Sequence, residues 1–557
     1  MEKFKPVQVD APENSLGETG TQPHDEVLAD GAMQHFSLTV DKFLLHAAKW
    51  HPATQVVTGL PGGETRRSGY AVVLENARRV SAILATLGVA RGDRVATLAW
   101  NSQEHLEAWY GIMGMGAACH TLNPRLTPDQ LGTMVRSSGA RVLIVSADLM
   151  PLTRQIVDNA RRVSHVLVID GSADTWPEGT AQPAVRILNA DDPSIEANVP
   201  WGQFDENCAA GLCFTSGTTG APKGVSYTHR SNYLHTMRLL QTDVLGLSAQ
   251  DTILGVVPMF HASAWGLPFA APAAGAKLVL PGRAADGASL ERLINGEGVT
   301  IGAGVPTVWL GLLEHLEKTG GQVPTLKRVV VGGSPMPPAL MERLAVDLGV
   351  ETQTSWGMTE LSPSGTMARP NEPNRQASVS GKPALGMDLL LTDANGKALP
   401  EQRDVEGHLR VRGAAVIERY LGQSESATDA DGWFETGDLA RIGQDGSLMI
   451  TGRSKDLIKS GGEWINPAEM EAVVGAHPEV SQVAVIGRAD PKWGERPILI
   501  VEMREGSSLS DAELLDTLRN EVASWWIPDA VLRISRMPLA PTGKIDKMRL
   551  RSQYASA

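Results

Sequence analysis

Apolar and polar residues alternate along this chain in two registers, one repeating every second residue and one every three to four, the periods of strand and helix. Between residues 94 and 170, "RVATLAW" precedes "SQEHLEAWYGIMGMG", "ARVLIVS" precedes "DLMPLTRQIVDNARRV", and "HVLVID" follows. The same order returns in "TILGVVP", "AKLVL", "VTIGAGV" before "PTVWLGLLEHLEK", and "LKRVVVGG" before "PMPPALMERLAVDLG". Alternating strand and helix predicts largely parallel, layered α/β sheets, and the length of the run predicts two of them packed together. After residue 385 the texture changes to hairpin-like pieces, "LLLTDANGKALP", "GHLRVRG" and "GSLMITG", with Asn-Gly and Asp-Gly turns, which predict a small β subdomain. From about Ser454, "NPAEMEAVVGAHPEV", "QVAVIGRAD", "RPILIVEMRE" and "DAELLDTLRNEVASWW" read as a compact α+β unit. The join, "TGRSKDLIKSGGEW", sets glycines on both sides of a charged cluster, which suits a hinge. The predicted fold class is therefore α/β: a large N-terminal domain of packed sheets with a small β subdomain, and a small mobile α+β C-terminal domain. The expected boundaries are a partly disordered N-terminal extension at 1–35, the large domain at 36–452, a hinge at 453–456 and the small domain at 457–557.

Charge and composition narrow the partners. A formal net charge of -13 over 557 residues, with no run of lysines and arginines, argues against nucleic acid or an anionic membrane as the main partner. Three cysteines, Cys119, Cys208 and Cys213, form neither a disulfide framework nor a zinc pattern and read as buried free thiols. The polar, acidic N-terminus has no apolar core of a secretory signal, and the longest apolar stretch is broken by His, Lys and several prolines. A cytoplasmic enzyme without integral membrane association is expected.

The candidate chemistry begins at "FTSGTTGAPKGVSYTH", Phe214 to His229. A short apolar run, Ala209 to Cys213, opens into glycines, hydroxyls and one lysine before a helix-like "RSNYLHTMRLL". Glycines let backbone N–H groups converge on a phosphate, hydroxyls add donors, and lysine adds a mobile positive charge. The P-loop pattern fails here: counted from Gly217, its second glycine is Pro222, and Gly224 follows Lys223. A different nucleotide phosphate site is the reading.

Eight segments in order, "TSGTTGAPKG", "PMFHASAWG", "GVPTVW", "GGSPMP", "TSWGMTE", "WFETGDLA", "TGRSKDLIKSGGEWI" and "PTGKIDK", resemble the markers of the adenylate-forming superfamily, in its acyl-CoA synthetase branch. The resemblance runs from about residue 40 to residue 550 and is nearest to medium- and long-chain fatty acyl-CoA ligases and methylmercaptopropionate-CoA ligases. It implies two steps: a carboxylate attacks the α-phosphorus of ATP to give acyl-adenylate and pyrophosphate, and the thiol of coenzyme A then displaces AMP. It also implies roles. Thr215, Ser216, Gly217, Thr218, Thr219, Gly220 and Lys223 would hold the β- and γ-phosphates, with Mg2+ on Glu360 and the Thr215 hydroxyl. Gly333, Ser334 and Pro335 would lie along one adenine face, and Ser355, Trp356, Gly357, Met358 and Thr359 along the other, Trp356 standing where many relatives carry a stacking tyrosine. Asp438 and Arg453 would hold the ribose, Lys455 would be the hinge, and Lys459 and Trp464 would contact nucleotide or the pantetheine channel. Lys544 would bridge the attacking carboxylate and the α-phosphate.

The resemblance assigns the acid to His261, Trp265, Gly266, Val305 and Gly332. Amino-acid-activating relatives place Asp where His261 stands, so an α-amino substrate is disfavoured, and Trp265 matches an aromatic gate. Small and apolar residues elsewhere in these segments imply a fatty-acid-like monocarboxylate. Two alternatives stay open: an acyl-AMP ligase loading a carrier protein, and a ligase for aryl or thioether acids; a nucleotide-sensing protein without activity would require the charge-bearing residues to be lost, and Lys223, Glu360, Asp438, Arg453 and Lys544 are all present. The chain completes no G-x-S-x-G nucleophile elbow. For the N-terminal extension the resemblance leaves a homodimer contact or a disordered lead-in.

Overall fold

Strands rich in Val, Ile and Leu on both faces need cover on both sides, and the computed structural model supplies it with helices. It describes residues 33–171, 183–215, 222–373, 375–519, 521–540 and 544–555. The extension expected at 1–35 therefore lies almost wholly outside the described residues. From Ser37 onward the chain is one unit, and its described strands form four sheets.

The first sheet has seven strands, in the order Ala184–Ile187, His165–Ile169, Val142–Ser146, Arg94–Leu98, Ala118–Thr121, Ala209–Phe214 and Gly224–Thr228. All neighbours are parallel except the last pair, a hairpin. The second has nine: Lys382–Pro383, Ser364–Met367, Glu351–Gly357, Arg328–Val331, Ile301–Gly304, Thr252–Gly255, Lys277–Leu280, Gln55–Gly59 and Thr65–Gly69, parallel through its middle. Period-two alternation assigns each strand's faces. Val56, Val95, Val142, Ile144 and Ile253 point into a layer shared by both sheets, where the helices Asp41–Trp50, Tyr70–Thr86, Gln103–Gly114 and Leu267–Ala274 lie. Val57 and Leu254 face outward onto Pro306–Thr319 and its neighbours, and Ala96, Leu143 and Val145 onto Pro128–Ser138 and Met150–Asn159. The expected pair of packed sheets is thus a five-layer stack with one helical layer held in common.

A four-stranded antiparallel sheet follows, Met387–Thr392, Glu406–Gly413, Phe434–Ile442 and Leu448–Arg453. Its core includes Leu391, Val411 and Phe434 and continues onto Val225, Tyr227 and Trp356 of the two large sheets. One sequence expectation is corrected here. "LLLTDANGKALP" turns at Asn395-Gly396 but its return leg makes only the single bridge Thr392–Ala398. Pro400 has no N–H with which to extend that ladder, and Met387–Thr392 makes its full antiparallel pairing along the other edge, with Glu406–Gly413. The final unit is a five-stranded sheet built on the long hairpin Val480–Asp490 and Gly494–Met503, with apolar clusters on both faces. Cys119 and Cys213 are buried free thiols as expected, whereas Cys208, beyond the edge of its strand, is only half-buried. Among the described residues no helix is long and apolar enough to cross a membrane.

The shared layer also buries an acid. Oε1 of Glu107, on Gln103–Gly114, accepts hydrogen bonds from Asn76 Nδ2 at 2.9 Å and Gln103 Nε2 at 2.7 Å. Burial pushes its carboxyl up from an ordinary 4.5 to about 8. Between those values the folded state holds a proton that the unfolded chain has released, so stability falls as pH rises through that window. Glu107→Gln keeps an acceptor for both bonds and removes the proton. Thermal unfolding should show a smaller loss of Tm from pH 5 to pH 8 in the variant than in the parent, and equal losses would show that Glu107 is ionised in the fold.

Candidate active site

The Ala209–Phe214 and Gly224–Thr228 hairpin carries the phosphate-loop candidate at its tip. Thr215 N–H donates to Lys223 C=O at 2.9 Å and closes the mouth of the loop. Ser216, Gly217, Thr218, Thr219 and Gly220 lie outside the described residues. Lys223 is exposed, and its Nζ stands 4.7 Å above the centre of the Tyr420 ring. Tyr420 O–H donates to Glu360 Oε1 at 2.9 Å, while the hairpin's Tyr227 O–H donates to Thr359 C=O at 2.8 Å. The short turn Thr359–Leu361 that presents Glu360 is therefore tied to the strand that leaves the loop, by Tyr227 directly, and lies next to Lys223 through Tyr420. Burial and the Glu360 charge push the Tyr420 phenol well up, so it remains a donor. Nothing in the local sequence around Tyr420 marks it; only the fold brings it between Lys223 and Glu360.

Asp438 is the most enclosed charge of the site, 2 % exposed. It lies opposite Arg453 in the antiparallel register, and Arg453 Nε approaches its Oδ1 at 2.9 Å. Trp356 Nε1 donates to its Oδ2 at 2.8 Å. The Arg453 contact is ionic without hydrogen-bond geometry, so Oδ1 is a buried acceptor lacking a hydrogen-bond donor. A vicinal hydroxyl of a ribose is the kind of donor such an oxygen takes. Trp356 itself is buried, its ring 2.5 Å from the point where a Cβ on Gly365 would stand. Ser355 and Gly357 flank it on the strand Glu351–Gly357, and Met358 packs partly buried against the same core.

The strand Arg328–Val331 ends in Gly332 and Gly333. Gly333 has φ +81°, a left-handed conformation that a side chain disfavours. A Cβ there would lie 3.5 Å from Val305, 3.7 Å from the Trp265 ring and 3.7 Å from Lys544 Cε; one on Gly332 would lie 3.3 Å from Trp265 and 2.5 Å from Ser355 Oγ. Five segments remote in sequence thus meet around these two glycines. Val305 is held there because Pro306 starts the next helix and Trp309 of that helix donates back to Gly304 C=O. Ser334 and Pro335 follow Gly333, half-buried and exposed respectively.

Lys544 reaches this point from the C-terminal unit. Burial first, then the positive charges of Arg453 and Lys455, lower its pKa from 10.5 to about 8, with Asp438 opposing the shift. His261 falls to about 4 through burial and the nearby Lys544, so its imidazole is neutral at pH 7. After it, Ala262, Ser263, Ala264 and Trp265 all have positive φ, 41° to 54°. A run of left-handed L-residues costs about 1–2 kcal/mol each, and here it aims the Trp265 ring at Gly332 and Gly333. Gly266, φ +77°, ends the run; a Cβ on it would strike the His235 ring at 2.7 Å.

Two expected residues stand apart. Lys459 and Trp464 face each other across a small hairpin of the C-terminal unit, Lys459 Nζ 5.4 Å from the indole centre, and Trp464 is 54 % exposed. No described contact joins them to the Lys544 cluster. Lys455 is exposed in the turn Ser454–Asp456.

Comparison with known proteins points to one family. The AMP-binding enzyme family matches residues 44–421, and the AMP-binding enzyme C-terminal domain matches residues 469–544. The chain is 40% identical to the 3-methylmercaptopropionyl-CoA ligase of Ruegeria lacuscaerulensis, over 95% of this chain and 99% of that protein. It is 41% identical to the medium-chain-fatty-acid-CoA ligase of Ectopseudomonas oleovorans, over 94% and 97%. The anthranilate CoA ligase AuaEII, solved with anthranoyl-AMP, superposes with a TM-score of 0.83 at 26% identity, over 94% of this chain and 98% of that one.

Trp356→Phe keeps an aromatic ring and removes the donor to Asp438. A hydrogen bond to a buried charge is worth about 1.5–3 kcal/mol, so the Kd for AMP, measured by calorimetry, should rise at least about tenfold. Unchanged affinity would show that Trp356 does not position Asp438 for nucleotide.

Proposed function

The chain belongs to the AMP-binding enzyme family, and we propose that it is an AMP-forming acyl-CoA synthetase for an apolar, fatty-acid-like monocarboxylic acid. The observation that carries the reading is the placement of Lys544 Cε beside Gly333 and Trp265, with Arg453 and Asp438 near enough to shift its titration. An acid entering past Trp265 and a nucleotide held by Asp438 would meet at that ammonium group.

The chemistry follows from charge. A carboxylate oxygen attacking the α-phosphorus brings two anions together, and Lys544 offsets their repulsion while fixing their approach. The bond from phosphorus to the pyrophosphate oxygen breaks as the new bond to the carboxylate forms. The departing charge falls toward Lys223 and the loop that starts at Thr215. Among the described residues no three His, Cys or carboxylate side chains gather into a metal cage. That fits Mg2+, which binds through one or two carboxylates plus substrate phosphates and keeps its remaining waters. Glu360, with Oε1 engaged by Tyr420, would hold it through Oε2 together with the Thr215 hydroxyl, and the ion would neutralise phosphate charge. His261, neutral at pH 7, offers a polar wall without a counter-ion, in keeping with an acid that carries no amine near its carboxylate.

Thioester formation by coenzyme A then needs Lys544 out of the way. Residues 36–452 act as the large domain, 457–557 as the small mobile one, and 453–456 as the hinge. Arg453 is bound to Asp438, and Ser454 Oγ lies 3.1 Å from His408 Nδ1, on the large domain. Asp456 is bound to Arg551 of the C-terminal helix at 2.8 Å. Lys455 between these anchors is the residue left to absorb rotation. Lys459 and Trp464, remote in this arrangement, are the residues such a rotation would bring in.

The test is AMP and pyrophosphate release with Mg-ATP over propionate, methylthiopropionate, octanoate, palmitate, cinnamate and anthranilate, each with and without CoA. AMP turnover with an aliphatic or thioether acid that requires CoA is expected. Pyrophosphate release stalling near one equivalent despite CoA would favour a carrier-protein acceptor, and no release with any acid would remove the enzymatic reading. Lys544→Ala should lower adenylate formation by at least about a hundredfold, as loss of a preorganised charge contact does, and spare thioester formation from supplied acyl-AMP. Because the free enzyme's Lys544 titrates at about 8, kcat/KM for pyrophosphate release should fall as pH rises through that value. A flat profile to pH 9.5 would contradict the role.

A further inference from the structure

Lys223 and Glu360 carry opposite charges on either side of one tyrosine, and among the described residues neither takes part in an ion pair. Glu360 is only 7 % exposed. A carboxylate so enclosed draws the nearest mobile cation, because each charge relieves the desolvation of the other. Lys223, exposed and carried on a flexible stem, is such a cation. Its Nζ instead stands 4.7 Å above the centre of the Tyr420 ring, and the Tyr420 hydroxyl occupies Glu360 Oε1 at 2.9 Å. A neutral donor has taken the place the lysine would fill.

The backbone around Tyr420 is fastened to both charge-bearing segments. Ile417 N–H donates to Glu360 C=O at 3.0 Å, and Leu421 N–H donates at 2.8 Å to the carbonyl of Gly224, the residue after Lys223. Ser362 Oγ adds a bond to Ala415 C=O at 2.9 Å. The approach to the loop is close enough to need a glycine: a Cβ on Gly224 would lie 3.0 Å from Leu421 Cβ. Tyr420 also packs, half-buried, against the apolar cluster that contains Tyr227 and Trp356, which supports its ring from behind. Residues 417–421 thus form a wedge whose tip is the tyrosine.

We propose that Tyr420 is a positioning residue that keeps Lys223 and Glu360 apart, reserving the ammonium group for nucleotide phosphate and the carboxylate for the metal. This rests on the synthetase reading above. Two opposite charges that must each hold a ligand of the other sign are rivals of those ligands. Joined directly, they would neutralise one another, and ATP would bind only the fraction of molecules in which the pair is open. The attraction of a ring for an ammonium group is weaker than that of a carboxylate, so it parks Lys223 and still yields it to phosphate. The hydroxyl satisfies Oε1 without cancelling the charge of Glu360, and Oε2 stays available.

The experiment measures ATP binding to the full chain by calorimetry with EDTA present, so that no metal contributes. Tyr420→Leu removes both ring and hydroxyl and should raise the Kd for ATP at least fivefold; Tyr420→Phe, which keeps the ring, should raise it less. Glu360→Gln removes the carboxylate that captures the lysine. It should therefore lower the Kd at least fivefold more in the Tyr420→Leu background than in the wild type, a coupling that mere loss of packing at residue 420 would not produce. Carbodiimide, which joins a paired lysine and carboxylate, followed by peptide mass spectrometry, should link Lys223 to Glu360 in Tyr420→Leu and not in the wild type. An unchanged Kd in Tyr420→Leu, an equal effect of Glu360→Gln in both backgrounds, or a Lys223–Glu360 link in the wild type would each overturn the proposal. The last uses the wild-type protein alone and so holds even where a variant fails to fold. ATP binding without the coupling sinks this inference and leaves the synthetase reading intact; a wild type that binds no ATP, with EDTA or with Mg2+, sinks both.

Discussion

Asp438 is the point on which the candidate site turns. A carboxylate this enclosed is tolerable only with a donor and a counter-charge beside it, and they come from different parts of the fold: the Trp356 indole from the nine-stranded sheet and the Arg453 charge from the strand Leu448–Arg453. Satisfying one buried charge therefore fixes how the β subdomain sits against the large sheet and where the path to the small unit begins. Its Oδ1, left with a charge contact but no hydrogen-bond donor, keeps an acceptor ready for a ligand hydroxyl. The need to solvate a charge away from water and the capacity to hold a sugar are here one arrangement.

Cations are gathered around that anion in a protein whose overall charge is strongly negative. Arg453, Lys455 and Lys544 lie close enough for their repulsion to lower the titration of Lys544, and burial lowers it further. That destabilisation is what a triphosphate and a carboxylate would relieve on binding. Lys223 holds a second, separate position above Tyr420, whose hydroxyl steadies Glu360. On the proposed reading, the two clusters would divide the work of a phosphoryl substitution, with attack at Lys544 and departure toward Lys223.

The acid side is organised by backbone rather than charge. Four left-handed residues in succession, Ala262 to Trp265, turn an indole onto Gly332 and Gly333, where Lys544 also arrives. Such a run persists only where packing over-determines it: Ala264 within it is buried in the large shared core, and Leu267 and Phe269 just beyond sit there too. Rigid helical packing in the middle layer thereby supports a strained wall at its edge.

The sequence by itself determined the layers and the chemical inventory. Period-two and period-3.6 patterns report which face of each element avoids water, a local matter, so the two sheets, their helices and the later β and α+β units were legible, as were Lys223, Glu360, Asp438, Arg453 and Lys544 as charges set in recognisable segments. The tertiary structure decided what meets what. Trp356 and Asp438 are 82 residues apart and Tyr420 and Glu360 are 60; strand order and crossover bring each pair together, and no local pattern encodes either. No motif in the sequence singles out Tyr420, whose surroundings only the fold supplies. The return leg of "LLLTDANGKALP" looked like a strand until its proline met the hydrogen-bonding needs of a real neighbour. Local sequence specifies which groups leave water, whereas their partners, and so their titration and their function, depend on packing between segments remote in the chain.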